Sequence, residues 1–155
     1  MKIGFVSKKG AVRALIAEAI ARKLLSNLGT QVEVFSAGLE PENTVNPKVY
    51  EVLKEKGYPT KGLYPKPLRK IPFKQLDILV ILDNDIKEKV EFVPSHKRRE
   101  NLHIEPPKAD TILEFRRVRD DIEKELMELF GLNKELPKTP EPKKANKREP
   151  KRERG

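Results

Sequence analysis

MKIGFVSKKGAVRA, residues 1–14, reads as a short apolar strand (Ile3, Phe5, Val6), then a tight loop, then the start of a helix. In a strand–loop–helix unit with glycine in the loop, backbone N–H groups point into one concavity. The helix N-terminus adds about half a positive charge there. Arg13 closes the loop, where a planar guanidinium can give two parallel hydrogen bonds to a tetrahedral anion. Ser7, Lys8, Lys9, Gly10, Ala11, Val12 and Arg13 are therefore the candidate anion-binding residues. The competing reading is a plain polar turn within an α/β domain.

Outward from this loop the chain alternates helical and strand patterns. Residues 13–28 carry Ile16, Ile20, Leu24 and Leu28 at helical spacing, with Leu15 and Leu25 widening the stripe and Gly29 just past the end. Residues 31–35 alternate as a strand, ended by Ser36-Ala37-Gly38. Asn46-Pro47 reads as a cap and first helical residue, with Val49, Val52 and Leu53 on one face up to Gly57. Residues 77–82, DILVIL, have the continuous apolar run of a strand buried on both faces of a parallel sheet. Residues 84–90 suit a helical turn, 93–100 a basic exposed segment, and 101–104 a short fourth strand. Thr111 and Glu114 have capping-box spacing. The helix they open should run to about Phe130, with Phe115, Val118, Ile122, Leu126 and Leu129 inward. Strands separated by helical segments imply right-handed crossovers and a three-layer α/β fold, with the ligand at the carboxyl ends of the strands.

Six features carry a resemblance: the 7–13 loop after an N-terminal strand, Ser36-Ala37-Gly38, Asn46-Pro47, a helix ending in Leu53-Lys54-Glu55-Lys56-Gly57, Lys66-Pro67-Leu68, and Glu114-Phe115-Arg116-Arg117-Val118-Arg119-Asp120. Over roughly residues 1–130 the chain resembles the low-molecular-weight protein tyrosine phosphatases and the related thioredoxin-coupled arsenate reductases. The resemblance implies four parallel strands in order 2-1-3-4, flanked by helices, and an oxyanion in the first loop. In that family the loop is Cys, five residues, Arg, then Ser or Thr. Here Ser7 stands at the nucleophile position and Ala14 after the arginine, and Gly10 replaces the asparagine that braces the family's loop. The frame is kept, and the cradle is expected to be distorted.

The family's chemistry needs a thiolate nucleophile, an arginine-closed loop and a carboxylic acid that protonates the leaving oxygen. An alcohol such as Ser7 is a poor nucleophile without a base, and none lies within sequence reach. Ala14 cannot donate the hydrogen bond that the family's Ser or Thr gives. The family's acid is the Asp of an Asp-Pro pair before the last helix. Here His103-Ile104-Glu105-Pro106-Pro107 leaves two registers: one puts Pro106 at the acid position, the other makes Glu105-Pro106 the pair. The resemblance thus implies a pseudophosphatase that holds phosphate, another oxyanion or a phosphorylated partner without turnover. The alternatives are residual hydrolysis by Ser7 or water with Glu105 as acid, and an interaction module working through a basic tail.

The 155 residues contain no cysteine. That excludes disulfides, thiolate metal sites, thiol catalysis and arsenate reduction of the family kind. The reading calls for no metal and no cofactor. No apolar run approaches a membrane span and no signal sequence is read, so a cytoplasmic location is expected. Abundant Lys and Glu with no Cys or Trp weakly suggest a thermophilic source. The net charge is +9. Much of it lies in residues 133–155, where nine Lys or Arg face four Glu among four prolines and almost no apolar side chains. That composition predicts a domain at 1–132 and a disordered tail at 133–155 with weak, salt-sensitive polyanion affinity, to which the basic run at 97–99 would add. His96 and His103 lack partners at ligand spacing, Asp77, Asp83 and Asp85 read as caps or solvated charge, and Tyr50, Tyr58 and Tyr64 are not spaced as a stacking platform.

Overall fold

A computed structural model describes residues 1–28, 31–86 and 97–132. Four strands, β1 (Lys2–Ser7), β2 (Glu33–Gly38), β3 (Ile78–Ile81) and β4 (Arg99–Asn101), form one sheet in the order β2-β1-β3-β4, every pair parallel. This is the strand order that the resemblance implies. Three α-helices, α1 (Arg13–Leu24), α2 (Pro47–Glu55) and α3 (Ile112–Leu129), pack mutually on one face. Among the described residues the other face is covered by short 3₁₀ turns at Leu68–Lys70, Phe73–Gln75 and Asn84–Ile86.

The two-residue period of the strands sorts the core. Ile3, Phe5, Ile78 and Val80 face the helices and meet Leu15, Ile16, Ile20, Leu53, Val118 and Ile122. Val6, Leu79 and Ile81 face the other way and meet Ile71, Leu76 and Ile86. β1 and β3 are buried on both faces, which is why their sequences read as apolar runs.

Both predicted helix caps form: Asn46 accepts from the amide of Lys48 at 2.9 Å, and Thr111 from that of Glu114 at 3.2 Å. Three boundaries differ from expectation. α1 ends at Leu24, and Leu28, placed in its apolar stripe by spacing, lies in an exposed turn. β2 runs through Ser36-Ala37-Gly38, because these residues pair with Phe5, Val6 and Ser7 and carry the sheet to the edge of the first loop. β4 is Arg99–Asn101, two residues before the predicted 101–104, because Arg99, Glu100 and Asn101 are the residues that pair with Leu79, Val80 and Ile81. The predicted 84–90 turn is seen as far as Ile86. Gly29, residues 87–96 with His96, the side chain of Asp85 and the 133–155 tail lie outside the described residues.

One polar cluster ties α2 to α3. Arg119 is buried and donates to the Val52 carbonyl (2.9 Å) and to Glu55 (2.7 Å), while Arg116 grips the same carboxylate from the exposed side. The hydrogen bond from Arg116, with help from Arg119, lowers the Glu55 pKa from 4.5 to about 2. A carboxylate depressed in the folded state stabilises the fold above its unfolded pKa, and the contribution fades as pH falls toward the folded value. An NMR titration should therefore find Glu55 ionised down to about pH 2, and Arg116→Gln should move its midpoint upward.

Candidate functional site

β1 ends at Ser7 and α1 begins at Arg13, so the loop between them sits at the carboxyl end of a central strand. Its carbonyls are turned outward. Those of Ser7, Lys8 and Lys9 accept from the amides of Leu39 (3.2 Å), Glu40 (2.8 Å) and Glu42 (3.2 Å) in the segment after β2. Among the described residues the amides of Lys8, Lys9, Ala11 and Val12 have no protein acceptor, while that of Gly10 donates to the Ser7 hydroxyl at 3.1 Å. The loop is followed by an uncapped helix: Val12 makes no side-chain cap and the first turn of α1 holds no acid. The positive end of the helix is left unneutralised by its own side chains.

The loop can lie this flat because two glycines meet back to back. Gly10 has φ +64°, and a Cβ on it would stand 2.6 Å from the Gly38 nitrogen. A Cβ on Gly38 would stand 2.5 Å from the Lys9 carbonyl carbon. Ser36-Ala37-Gly38 is thus the floor against which the loop is pressed. Beneath that floor Glu18, buried on α1, accepts from Ser36 Oγ at 2.5 Å and pairs with Arg22, and Lys66 Nζ lies 3.8 Å away. Burial pulls the Lys66 ammonium below its ordinary pKa, against the pull of Glu18. The Lys66 carbonyl in turn accepts from Gly38 N at 2.8 Å.

Arg13 is buried, and its two terminal nitrogens are held by protein oxygens: Nη1 donates to the Ile104 carbonyl at 3.0 Å, and Nη2 to Asp83 at 2.9 Å. Asp83, read from sequence as a cap or solvated charge, is instead a buried carboxylate at the end of β3 paired with the loop arginine. A guanidinium has five N–H donors, so this pairing orients the fork and leaves donors over; Nε has no partner among the described residues.

Ser7, Lys9, Ala11, Val12 and Arg13 line a single pocket of about 130 Å³, together with Glu42, Pro106 and Pro107. Lys8 and Gly10 belong to the loop but not to that lining. Of the two residues named for the acid position, Pro106 lines the pocket and Glu105 does not. The exposed Glu105 carboxylate bonds His103 Nε2 at 2.6 Å, which holds it below the usual carboxylate range. His103 Nδ1 accepts from the Asn84 amide at 3.2 Å, so this histidine serves the wall of the site. Among the described residues no cluster of acids and histidines could hold a metal, and no helix is long and apolar enough to cross a membrane. Asp77 caps the Lys2 amide and pairs with Lys97. The tyrosines are dispersed: Tyr50 bonds the Leu63 carbonyl, Tyr58 bonds Glu123, and Tyr64 lies under Lys66.

Asp83→Ala would leave the Arg13 guanidinium buried beside a missing counter-charge. Losing one partner of a buried pair costs about 3–5 kcal/mol, which urea denaturation should register.

The family model of low molecular weight phosphotyrosine protein phosphatases matches residues 2–142. Among curated relatives, an arsenate reductase of Staphylococcus xylosus is 31% identical over 120 residues, covering 77% of this chain and 88% of that protein. Arsenate reductase 2 of Staphylococcus saprophyticus is 28% identical over 128 residues, covering 83% and 95%. Among solved structures, an arsenate reductase described in its phosphate binding state superposes with TM-score 0.69 at 25% identity, over 84% of this chain and 96% of that one. A low molecular weight protein tyrosine phosphatase from T. tengcongensis superposes with TM-score 0.75 at 19% identity, over 84% and 98%, a likeness of fold. With a loop of family length and place, the family's strand order and a match across most of its length, this chain belongs to the low molecular weight phosphotyrosine protein phosphatase family.

Proposed function

We propose that the chain binds a phosphate-like oxyanion in the Ser7–Arg13 loop and does not turn it over. The observation that carries this reading is the loop's bonding pattern. The Ser7, Lys8 and Lys9 carbonyls are satisfied from outside the loop, the amides of Lys8, Lys9, Ala11 and Val12 have no protein acceptor among the described residues, and Arg13 lines the same pocket. Ala11 is buried and Val12 half-buried, and donors at such positions are costly unless a ligand or water supplies an acceptor; an oxyanion serves both at once and is open to the exposed Lys8 and Lys9 amides as well. Inorganic phosphate and the phosphate of a modified partner share this chemistry. One structural relative, an arsenate reductase, is described in the phosphate binding state.

The groups that would cleave a phosphoester are missing. No sulfur nucleophile exists in a chain without cysteine. The Ser7 hydroxyl has an amide partner and, among the described residues, no carboxylate or imidazole to take its proton. Where an acid should face the leaving oxygen, Pro106 and Pro107 form the wall. Glu105 points to His103 and is held ionised, the opposite of what a general acid needs.

Isothermal calorimetry with inorganic phosphate should show saturable binding that is lost in Arg13→Ala. Aryl phosphate hydrolysis should stay at background, unchanged by Ser7→Ala. Turnover that depends on Ser7 would contradict the inactive reading, and binding indifferent to Arg13 would contradict the cradle. Ser7→Cys combined with Ala14→Ser and Pro106→Asp should recover measurable hydrolysis if the frame is intact.

A further inference from the structure

The wall of the pocket opposite the loop is held by arginines through its backbone. Three consecutive carbonyls are gripped: Ile104 by Arg13 Nη1 at 3.0 Å, Glu105 by Arg117 Nη1 at 3.1 Å, and Pro106 by Arg117 Nη2 at 2.9 Å. Arg117 sits on α3 and is itself anchored on that helix by Glu114 (3.0 Å) and Asp121 (3.0 Å). Glu114 also accepts from the Lys108 amide at 2.8 Å, so the strip is tied down on both sides of Pro106-Pro107. The prolines fix their own φ angles near −65°, which removes the remaining local freedom. A guanidinium fork can span two successive carbonyls in a way that an ammonium cannot.

The pocket this wall closes is about 130 Å³, well below the roughly 300 Å³ at which pockets begin to take drug-sized ligands. Its lining holds no aromatic side chain, and its exposed members, Lys9, Glu42 and Pro106, form the rim. A free oxyanion needs only the loop. An ester must also pass its carrier across that rim, between a rigid proline strip and a carboxylate.

We propose that Arg117 is a specificity-determining positioning residue: by gripping the Glu105 and Pro106 carbonyls it fixes the rim at a width that takes a free tetrahedral oxyanion and disfavours its ester. This rests on the anion-binding reading above. Two arms separate free phosphate from esterified phosphate as the source of the bound group.

The full chain is titrated calorimetrically with inorganic phosphate and with phenyl phosphate. The wild type should prefer inorganic phosphate by about ten-fold or more, the range a shape restriction typically gives. Arg117→Ala should bring the two affinities together. Arg117→Lys should restore the preference only in part. The ratio is the readout, since general destabilisation weakens both ligands alike; circular dichroism verifies that each variant is folded. A wild type that binds both equally, or a folded Arg117→Ala with an unchanged ratio, overturns the inference while leaving the anion site standing. A wild type that binds neither removes the anion-binding reading, and this inference falls with it.

Discussion

Three backbone hydrogen bonds decide what the first loop can be. The Ser7, Lys8 and Lys9 carbonyls turn away from the pocket to meet Leu39, Glu40 and Glu42. A peptide whose carbonyl is committed on one side presents its N–H on the other, so the Ser7 and Lys8 carbonyl bonds turn away the amides of Lys8 and Lys9, which have no protein acceptor among the described residues, and the Lys9 bond turns away that of Gly10, which donates to Ser7 Oγ. The close approach they require is possible only because Gly10 and Gly38 lack side chains at the contact. Gly38 in turn is placed by the pairing of β2 with β1 and by the Lys66 carbonyl. The sheet, the second loop and the first loop are therefore one construction, and the buried Glu18–Ser36 contact beneath it keeps that floor polar and ordered.

Arg13 joins this construction to the far wall. Asp83 at the end of β3 and the Ile104 carbonyl after β4 hold two corners of its guanidinium. A buried ion pair of this kind contributes little net stability, because desolvation offsets its attraction. What it does supply is orientation, since the fork is fixed before any ligand arrives and the cost of ordering it is met in folding. The same wall is lined by Pro106 and Pro107. On the proposed reading the site holds charge in a preorganised frame, in a chain that has no cysteine to attack phosphorus.

Much of this was legible in the sequence because it is local. The strand–loop–helix unit, the Asn46 and Thr111 caps and the apolar run of β3 each announce themselves within a few residues, alternation of elements gives the α/β class, and the sheet order comes with the family resemblance. The failures are of another kind. Asp83 lies 70 residues from Arg13, and nothing near it distinguishes a buried counter-ion from a solvated turn residue. Arg117 and Arg119 stand in a charged helix whose pattern reads as solvent-facing, yet one is buried against Val52 and the other grips two carbonyls. Glu18 is a lone carboxylate in an apolar helix, and its partners Ser36 and Lys66 lie far along the chain, so local pattern does not mark it as buried. β4 is three residues long, and its register is set by pairing with β3, which its own composition does not encode.

The proposed anion site depends on the loop amides that have no protein acceptor among the described residues. The most direct test is a ¹H–¹⁵N correlation spectrum recorded while inorganic phosphate is added. The amide signals of Lys8, Lys9, Ala11 and Val12 should shift saturably and together, with the Arg13 Nε resonance following them, while those of Leu39, Glu40 and Glu42 stay close to their starting positions. Loop amides that do not move at saturating phosphate, or that move no more than amides across the surface, would contradict it.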